Sequence, residues 1–134
     1  MYSEKFKLSI RDINYANHLD HLALLNYLHE TRVRFLRSQG YTELDVDGLG
    51  SGLVVAELNW NKRAGCCYVD EIEVEVSLVL LSPSRLVIHY TLYKANQVLV
   101  ATARIRVAFL NMHHKVIAVP NYLRLLAVAT DKST

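Results

Sequence analysis

The chain has 134 residues, 51% hydrophobic and 21% charged, and its 15 Lys and Arg against 13 Asp and Glu leave a formal net charge of +2. This composition describes one ordered domain spanning residues 1–134 and excludes a disordered or low-complexity chain. The small, dispersed charge carries no footprint for nucleic acid. No apolar run approaches the roughly twenty residues that cross a bilayer, and the start of the chain is too polar for a secretory signal, so a soluble, cytoplasmic protein without a membrane partner is expected.

In chain order, Glu4 to Arg11 alternates, with Phe6, Leu8 and Ile10 on one side, and predicts a half-buried strand. A polar turn dense in Asp, Asn and His follows, and then a long helical pattern to Gly40. Asp20 suits its N-cap because a carboxylate accepts from unpaired backbone N–H groups, and Gly40 suits the left-handed residue past its end. Roughly nineteen residues make a helix of about 28 Å. Leu24, Leu25, Leu28, Thr31, Phe35 and Leu36 mark its buried face, with Arg32, Arg34 and Arg37 read as solvated. Glu30 and Arg32, two apart, do not face each other and read as structural.

Tyr41 to Gly52 holds three of the five glycines and reads as a loop. Leu53 to Trp60 predicts a second strand with Val54, Ala56, Leu58 and Trp60 on one face, and Asn61 to Tyr68 a turn or irregular crossing. Cys66 and Cys67 are neighbours, so a bond between them would be strained; they read as reduced, without a local signature for a Cys-His nucleophile. Ile72, Val74, Val76, Leu78 and Leu80 alternate with Glu71, Glu73 and Glu75, a strand with one wet face. Ser82-Pro83-Ser84 turns the chain into a strand from Arg85 to Lys94. Ala95-Asn96 makes a tight hairpin into a long strand from Gln97 to Leu110. Val116 to Val119 adds a short extension, and Asn121 to Ala129 predicts a C-terminal helix.

The order is strand, long helix, then strands joined mostly by tight turns. An α+β domain is expected, in which a curved antiparallel sheet of about five strands wraps one long central helix. Val79, Leu81, Val87, Leu99, Ala101, Ala103, Ile105 and Val107 are expected to leave apolar side chains on the face the helix does not cover, which points to a homo-oligomer. His18 and His21 have a spacing that serves zinc but no marked third ligand, so neither a metal nor any other cofactor is expected.

The run Asp12-Ile13-Asn14-Tyr15-Ala16-Asn17-His18-Leu19-Asp20-His21, followed by Tyr27-Leu28, Glu30, Arg32 and Phe35-Leu36, resembles the opening of hotdog-fold acyl-CoA thioesterases of the 4-hydroxybenzoyl-CoA thioesterase type. Their pattern is Asp-x-Asp, then Gly-His-Val-Asn-Asn, a Tyr-Leu pair and an acidic-to-arginine step before Phe-Leu. Asn61-Lys62-Arg63-Ala64 and Tyr68-Val69-Asp70 are similar to the family's second half. The resemblance implies the hotdog fold, hydrolysis of an acyl-CoA, and a homodimer or tetramer of dimers with sites at the subunit boundary. This chain departs from the pattern where the second, catalytic aspartate becomes Asn14, the glycine becomes Asn17, and the two asparagines become Asp20 and His21. An amide lacks the charge and basicity of a carboxylate, so it neither takes a proton nor attacks a thioester.

Thioester hydrolysis then requires another base, and His18, which matches the family's histidine, is the first choice, histidine being the side chain suited to proton transfer near neutral pH. Asn14 would orient water or the carbonyl, with Asp20 nearby, and the N-terminal N–H groups of the helix would supply the oxyanion donors. Asp20 reads equally as a cap alone, and Asp12 as a turn anchor. Asp12, His21, Tyr27, Asn61, Lys62 and Arg63 are the expected substrate-binding residues, the two cations for coenzyme A phosphates. An acyl tunnel is expected along Leu25, Tyr27 and Leu28. The alternative function is a non-catalytic acyl-CoA binding protein that lost its carboxylate at position 14.

Overall fold

The computed structural model describes residues 2–14, 18–65 and 70–127. Strand β1 (Tyr2–Lys7) leads through a single 3-10 turn, Ile10–Asp12, to helix α1 (His21–Ser38). Strands β2 (Gly52–Lys62), β3 (Glu71–Ser82), β4 (Arg85–Lys94) and β5 (Val98–Leu110) follow, then β6 (Val116–Ile117) and helix α2 (Asn121–Leu126). Paired strands form one antiparallel sheet in the order β1-β3-β4-β5-β2, and β6 adds to the end of β5. The sheet therefore has six strands rather than five, the sixth being the short extension after residue 115.

Helix α1 begins where the sequence marks it. Asp20 accepts from the Leu22 N–H at 3.0 Å, and Gly40 takes φ +88° just beyond the C-terminus, where the absence of a Cβ makes that conformation cheap. Leu24, Leu28, Thr31, Phe35 and Leu36 are buried against Ile72, Val74, Val76, Ile88, Tyr90, Leu92, Ala103, Ile105 and Val107 of the sheet in one continuous core. Each of those larger aliphatic side chains contributes about 1.5–3 kcal/mol on burial. Aromatic contacts dock β1 onto the helix, Phe6 against Tyr27 at 4.8 Å and Tyr2 against Phe35 at 5.4 Å.

Several local expectations change. The first strand stops at Lys7 because Ser9 and Asp12 bond to each other and tighten the chain into the 3-10 turn. Arg32 is not solvated: it is 8% exposed, and its Nε donates to Glu43 at 2.9 Å. Burial alone would lower its pKa, yet Tyr90 and Glu43 hold it raised. On β2 a bulge at Ala56 shifts the register, so Val55, Leu58 and Trp60 share a face while Val54 lies on the other. Ala101, Ala103, Ile105 and Val107 line the helix side, leaving Val79, Leu81, Val87 and Leu99 of the expected apolar set on the outer face. The last strand begins at Val98, because Asn96 and Gln97 both adopt positive φ, 64° and 59°, to make the hairpin. Helix α2 ends at Leu126; the rest of its expected span beyond Ala127, the cysteine pair with Tyr68, and residues 15–17 lie outside the described residues.

Candidate active site

The segment leading into α1 is a miniature hairpin. Asp20 N–H donates to the Asp12 carbonyl at 2.7 Å and Asn14 N–H to the His18 carbonyl at 3.0 Å, with Ile13 bridged to Leu19 between them. The Asn14 side-chain oxygen accepts from His18 N–H at 3.2 Å. Asn14 and His18 thus face each other at the top of the ladder, two residues ahead of the helix cap. Short polar side chains that bond back to nearby amides favour such a turn.

Asp12 holds this hairpin to the helix. One carboxylate oxygen accepts from Ser9 N–H at 2.8 Å, from Ser9 Oγ at 3.2 Å and from the Tyr27 hydroxyl at 2.5 Å. Burial, and then the bond to Asp12, push the Tyr27 hydroxyl pKa upward, so it stays a donor. Both aspartates are engaged as anchors, Asp12 in the turn and Asp20 at the cap.

Two features remain open for chemistry. Asp20 satisfies Leu22 N–H with its side chain and Leu24 N–H with its carbonyl, at 3.0 and 2.8 Å. The N–H groups of His21 and Ala23, at the positive end of α1, have no acceptor among the described residues. The His18 Nδ1 is buried and lacks a hydrogen-bond partner among the described residues. An imidazole and two adjacent backbone donors are the kinds of group that hydrolysis of a carbonyl compound uses.

Asp12, Asn14, His18, Asp20, His21 and Tyr27 therefore come together at the N-terminus of α1. The other three expected binding residues divide. Lys62 places its Nζ 5.3 Å from the Trp60 ring centroid, and the Trp60 ring is parallel to that of His21, centroids 6.5 Å apart; Lys62 thus joins the site through Trp60. Asn61 pairs with Thr102, between the core-facing positions 101 and 103, and so occupies the opposite face of β2. Arg63 is exposed just past the strand, its backbone N–H on the Val100 carbonyl at 2.7 Å. Sequence reading placed Trp60 only on a strand face; that it is the sole tryptophan was the available signal. An apolar cavity of about 280 Å³ lies at the other end of α1, lined by Tyr2, Phe35, Gln39, Val76, Leu78 and Leu126, and touches none of Leu25, Tyr27 and Leu28. Among the described residues no helix is long and apolar enough to cross a membrane.

A sheet wrapped on one helix, with a polar hairpin delivering the helix N-terminus, is the hotdog arrangement. The model of the Thioesterase-like superfamily matches residues 8–132, and the chain belongs to that superfamily. Solved structures agree in fold. A 1,4-dihydroxy-2-naphthoyl-CoA thioesterase from Synechocystis superposes with TM-score 0.80 at 16% identity, covering 93% of each chain. A hypothetical protein from Aquifex aeolicus gives 0.81 at 20% identity over 96% of this chain and 100% of its own. A hypothetical protein from Staphylococcus aureus, solved in complex with CoA, gives 0.80 at 18% over 92% of this chain and 79% of its own. No curated protein matches the sequence significantly.

Proposed function

We propose that this chain is a thioesterase that hydrolyses an acyl-coenzyme A, or the equivalent acyl-carrier thioester, to carboxylate and free thiol. The observation that carries the reading is the buried, unpartnered Nδ1 of His18, given among the described residues, beside a helix end with two N–H groups unspent. His18 takes a proton from water as the water oxygen attacks the thioester carbonyl. The N–H groups of His21 and Ala23 receive the oxyanion, and the tetrahedral intermediate collapses to the acid, expelling the thiolate, which regains the proton from His18. Asn14 positions His18 through its bond to the His18 N–H and orients the water or the carbonyl. Asp20 keeps the helix end in place, and Asp12 with Tyr27 holds the loop. Lys62 and Arg63 pair with the coenzyme phosphates. Membership of the superfamily and a fold neighbour solved in complex with CoA support this reading.

The site belongs to a homo-oligomer in this proposal. Strand β2 is an outer strand of the sheet, eleven residues long, and Val54 and Val55 on it are 41% and 42% exposed. Exposed apolar side chains on an outer strand are what a second copy covers. Sedimentation of the protein and of Val55→Lys tests this, with an oligomer expected for the first and a monomer for the second.

The second reading, an acyl-CoA binding protein without catalysis, is favoured by the amide at position 14, where the family pattern has a carboxylate. Free-thiol release across short, long and aromatic acyl-CoA thioesters, on the wild type and His18→Ala, decides between them. Turnover that collapses in the variant supports the esterase; no turnover on any substrate, with acyl-CoA still bound, establishes the binding protein.

A further inference from the structure

The sheet face turned away from α1 carries a group of arginines that neither the core nor the proposed reaction uses. On β5, Arg104 and Arg106 alternate with the core-facing Ala103, Ile105 and Val107. Both therefore project outward, with Cα atoms about 7 Å apart along the strand. Arg85 on β4 projects to the same side, because it pairs with Ala108, the next outward position after Arg106. Three guanidinium groups thus share one patch on two inner strands of the sheet. The bulge in β2 sets Glu57 opposite Arg106, and its carboxylate reaches that arginine only at 3.5 Å. Arg85 and Arg104 form no ion pair among the described residues. Like charges gathered on one sheet face repel, and a bound anion removes that repulsion.

The surface between these side chains is hollowed. A depression of about 310 Å³ opens beside Arg85 and Arg106, lined also by Ser84, Ala108 and Val116. A smaller one of about 50 Å³ lies between Arg104, Arg106 and Asn59, so the two share Arg106. A single inorganic anion would leave the larger depression empty, whereas its volume falls at the lower end of small-molecule sites, about 300–1,000 Å³. The planar guanidinium fork matches pairs of phosphate oxygens. Three arginines against one carboxylate leave a surplus of positive charge that a chain of two or more phosphates balances, and the hydroxyl and apolar lining of the larger depression suits a sugar and base. A second copy of the chain is a poorer occupant. The other acidic residues on this face are Glu71, Glu73 and Glu75, and the first two already stand opposite Lys7 and Lys5 of β1.

We propose that Arg85, Arg104 and Arg106 form a binding site for a nucleoside polyphosphate, separate from the thioester site on the other side of the sheet. The site does not depend on the thioesterase reading.

The test is isothermal titration calorimetry of the full chain with ATP, ADP and AMP in metal-free buffer. It compares the wild type with the double variants Arg104→Gln/Arg106→Gln and Arg104→Lys/Arg106→Lys. ATP and ADP are expected to bind the wild type and AMP more weakly. The glutamine pair should weaken ATP by at least about tenfold, the worth of one charge-assisted bond. The lysine pair should fall between, since it keeps the charge and loses the fork. None of the substituted side chains is buried, so an unchanged urea midpoint is expected and shows that the variants fold. No binding by the wild type, or equal binding by the wild type and the glutamine pair, overturns the proposal. ATP should still bind when CoA is saturating; its loss there would assign the arginines to the coenzyme itself and overturn a separate site. Sedimentation of the glutamine pair as a smaller species than the wild type would make this face a contact between copies and overturn the proposal as well. No arm requires turnover, so failure to hydrolyse any thioester would remove the esterase and leave the nucleotide site standing.

Discussion

Asp12 lets the link between the fold and the site be tested quantitatively, because one carboxylate oxygen holds both the turn and the helix. Asp12→Ala removes a charge-assisted bond from the half-buried Tyr27 hydroxyl and two exposed bonds from Ser9. Such bonds to charged groups contribute about 1.5–3 kcal/mol, and the exposed pair adds less, so a loss of about 2–4 kcal/mol is expected. For a domain of this size that lowers Tm by about 10 °C, at roughly 4 °C per kcal/mol. Tyr27→Phe removes only the shared bond and is expected to lose about 1.5 kcal/mol. The double variant should lose less than the sum, with a coupling of about 1 kcal/mol. Activity should follow geometry: Asp12→Ala lets the hairpin shift, and a displacement of about 1 Å at the reacting atoms lowers kcat about a hundredfold. Urea melts of the four proteins at 25 °C and kcat/KM with one acyl-CoA make the test. Additivity within about 0.4 kcal/mol, or full kcat in a destabilised Asp12→Ala, would refute the argument that this carboxylate ties the loop carrying the proposed base to α1.

Three further outcomes are expected. His18→Ala should lower kcat/KM by about 10²–10⁴, the usual contribution of a general base, while leaving Tm within about 2 °C because Nδ1 has no bond to lose among the described residues; a pH–rate profile with its rising limb intact would remove His18 from that role. Arg32→Ala should destabilise by about 3 kcal/mol, since it strips a buried partner from Glu43 and the neighbourhood of Tyr90, seen as a lower urea midpoint at unchanged slope. Asp47 is held below the ordinary carboxylate range: partial burial opposes this, but bonds from the Ser51 side chain and from the Leu49 and Ser51 N–H groups outweigh it. A depressed folded-state pKa makes its stabilisation complete above the unfolded value and lost as pH falls through the folded one. Asp47→Asn should therefore flatten the drop in urea midpoint between pH 5 and the acid limb below about 4, and an unchanged drop would show that other carboxylates carry it.

Wherever a signal was local, the chain could be read directly. The Asp20 cap, the Gly40 stop, the alternation from Ile72 to Leu80 and a hairpin between residues 94 and 98 each depend on neighbours in sequence, and each element is found, the turn one residue later than Ala95-Asn96. Arg32 was misread because its partner, Glu43, sits in the following loop, and periodicity assigns a charged residue to water unless a distant partner is known. Ala101, Ala103, Ile105 and Val107 of β5 fall on the face opposite to the expected one for a related reason: helix side and outer side exchange with a single-residue shift, and the bulges that set the register leave no mark in composition. Within the site, the residue types of the loop were legible, but which carboxylates are spent on backbone amides depends on the miniature hairpin. Trp60 was missed because its significance arises only where β2 meets the start of α1.

The sheet order has a consequence for the sequence of assembly. Strands β3, β4 and β5 form a continuous meander between residues 71 and 110, each pairing with its neighbour across a tight turn. Both outer strands close over long stretches of chain, β1 reaching β3 and β2 reaching β5. Local hairpins close with little loss of loop entropy, whereas the outer strands must wait for distant ends to meet. The meander is thus the natural folding nucleus, and β1, the hairpin before α1, and β2 are added to it late. In native-state hydrogen exchange those amides should open before the meander does. The residues proposed to recognise and hydrolyse the thioester are thereby carried on the part of the molecule that yields first.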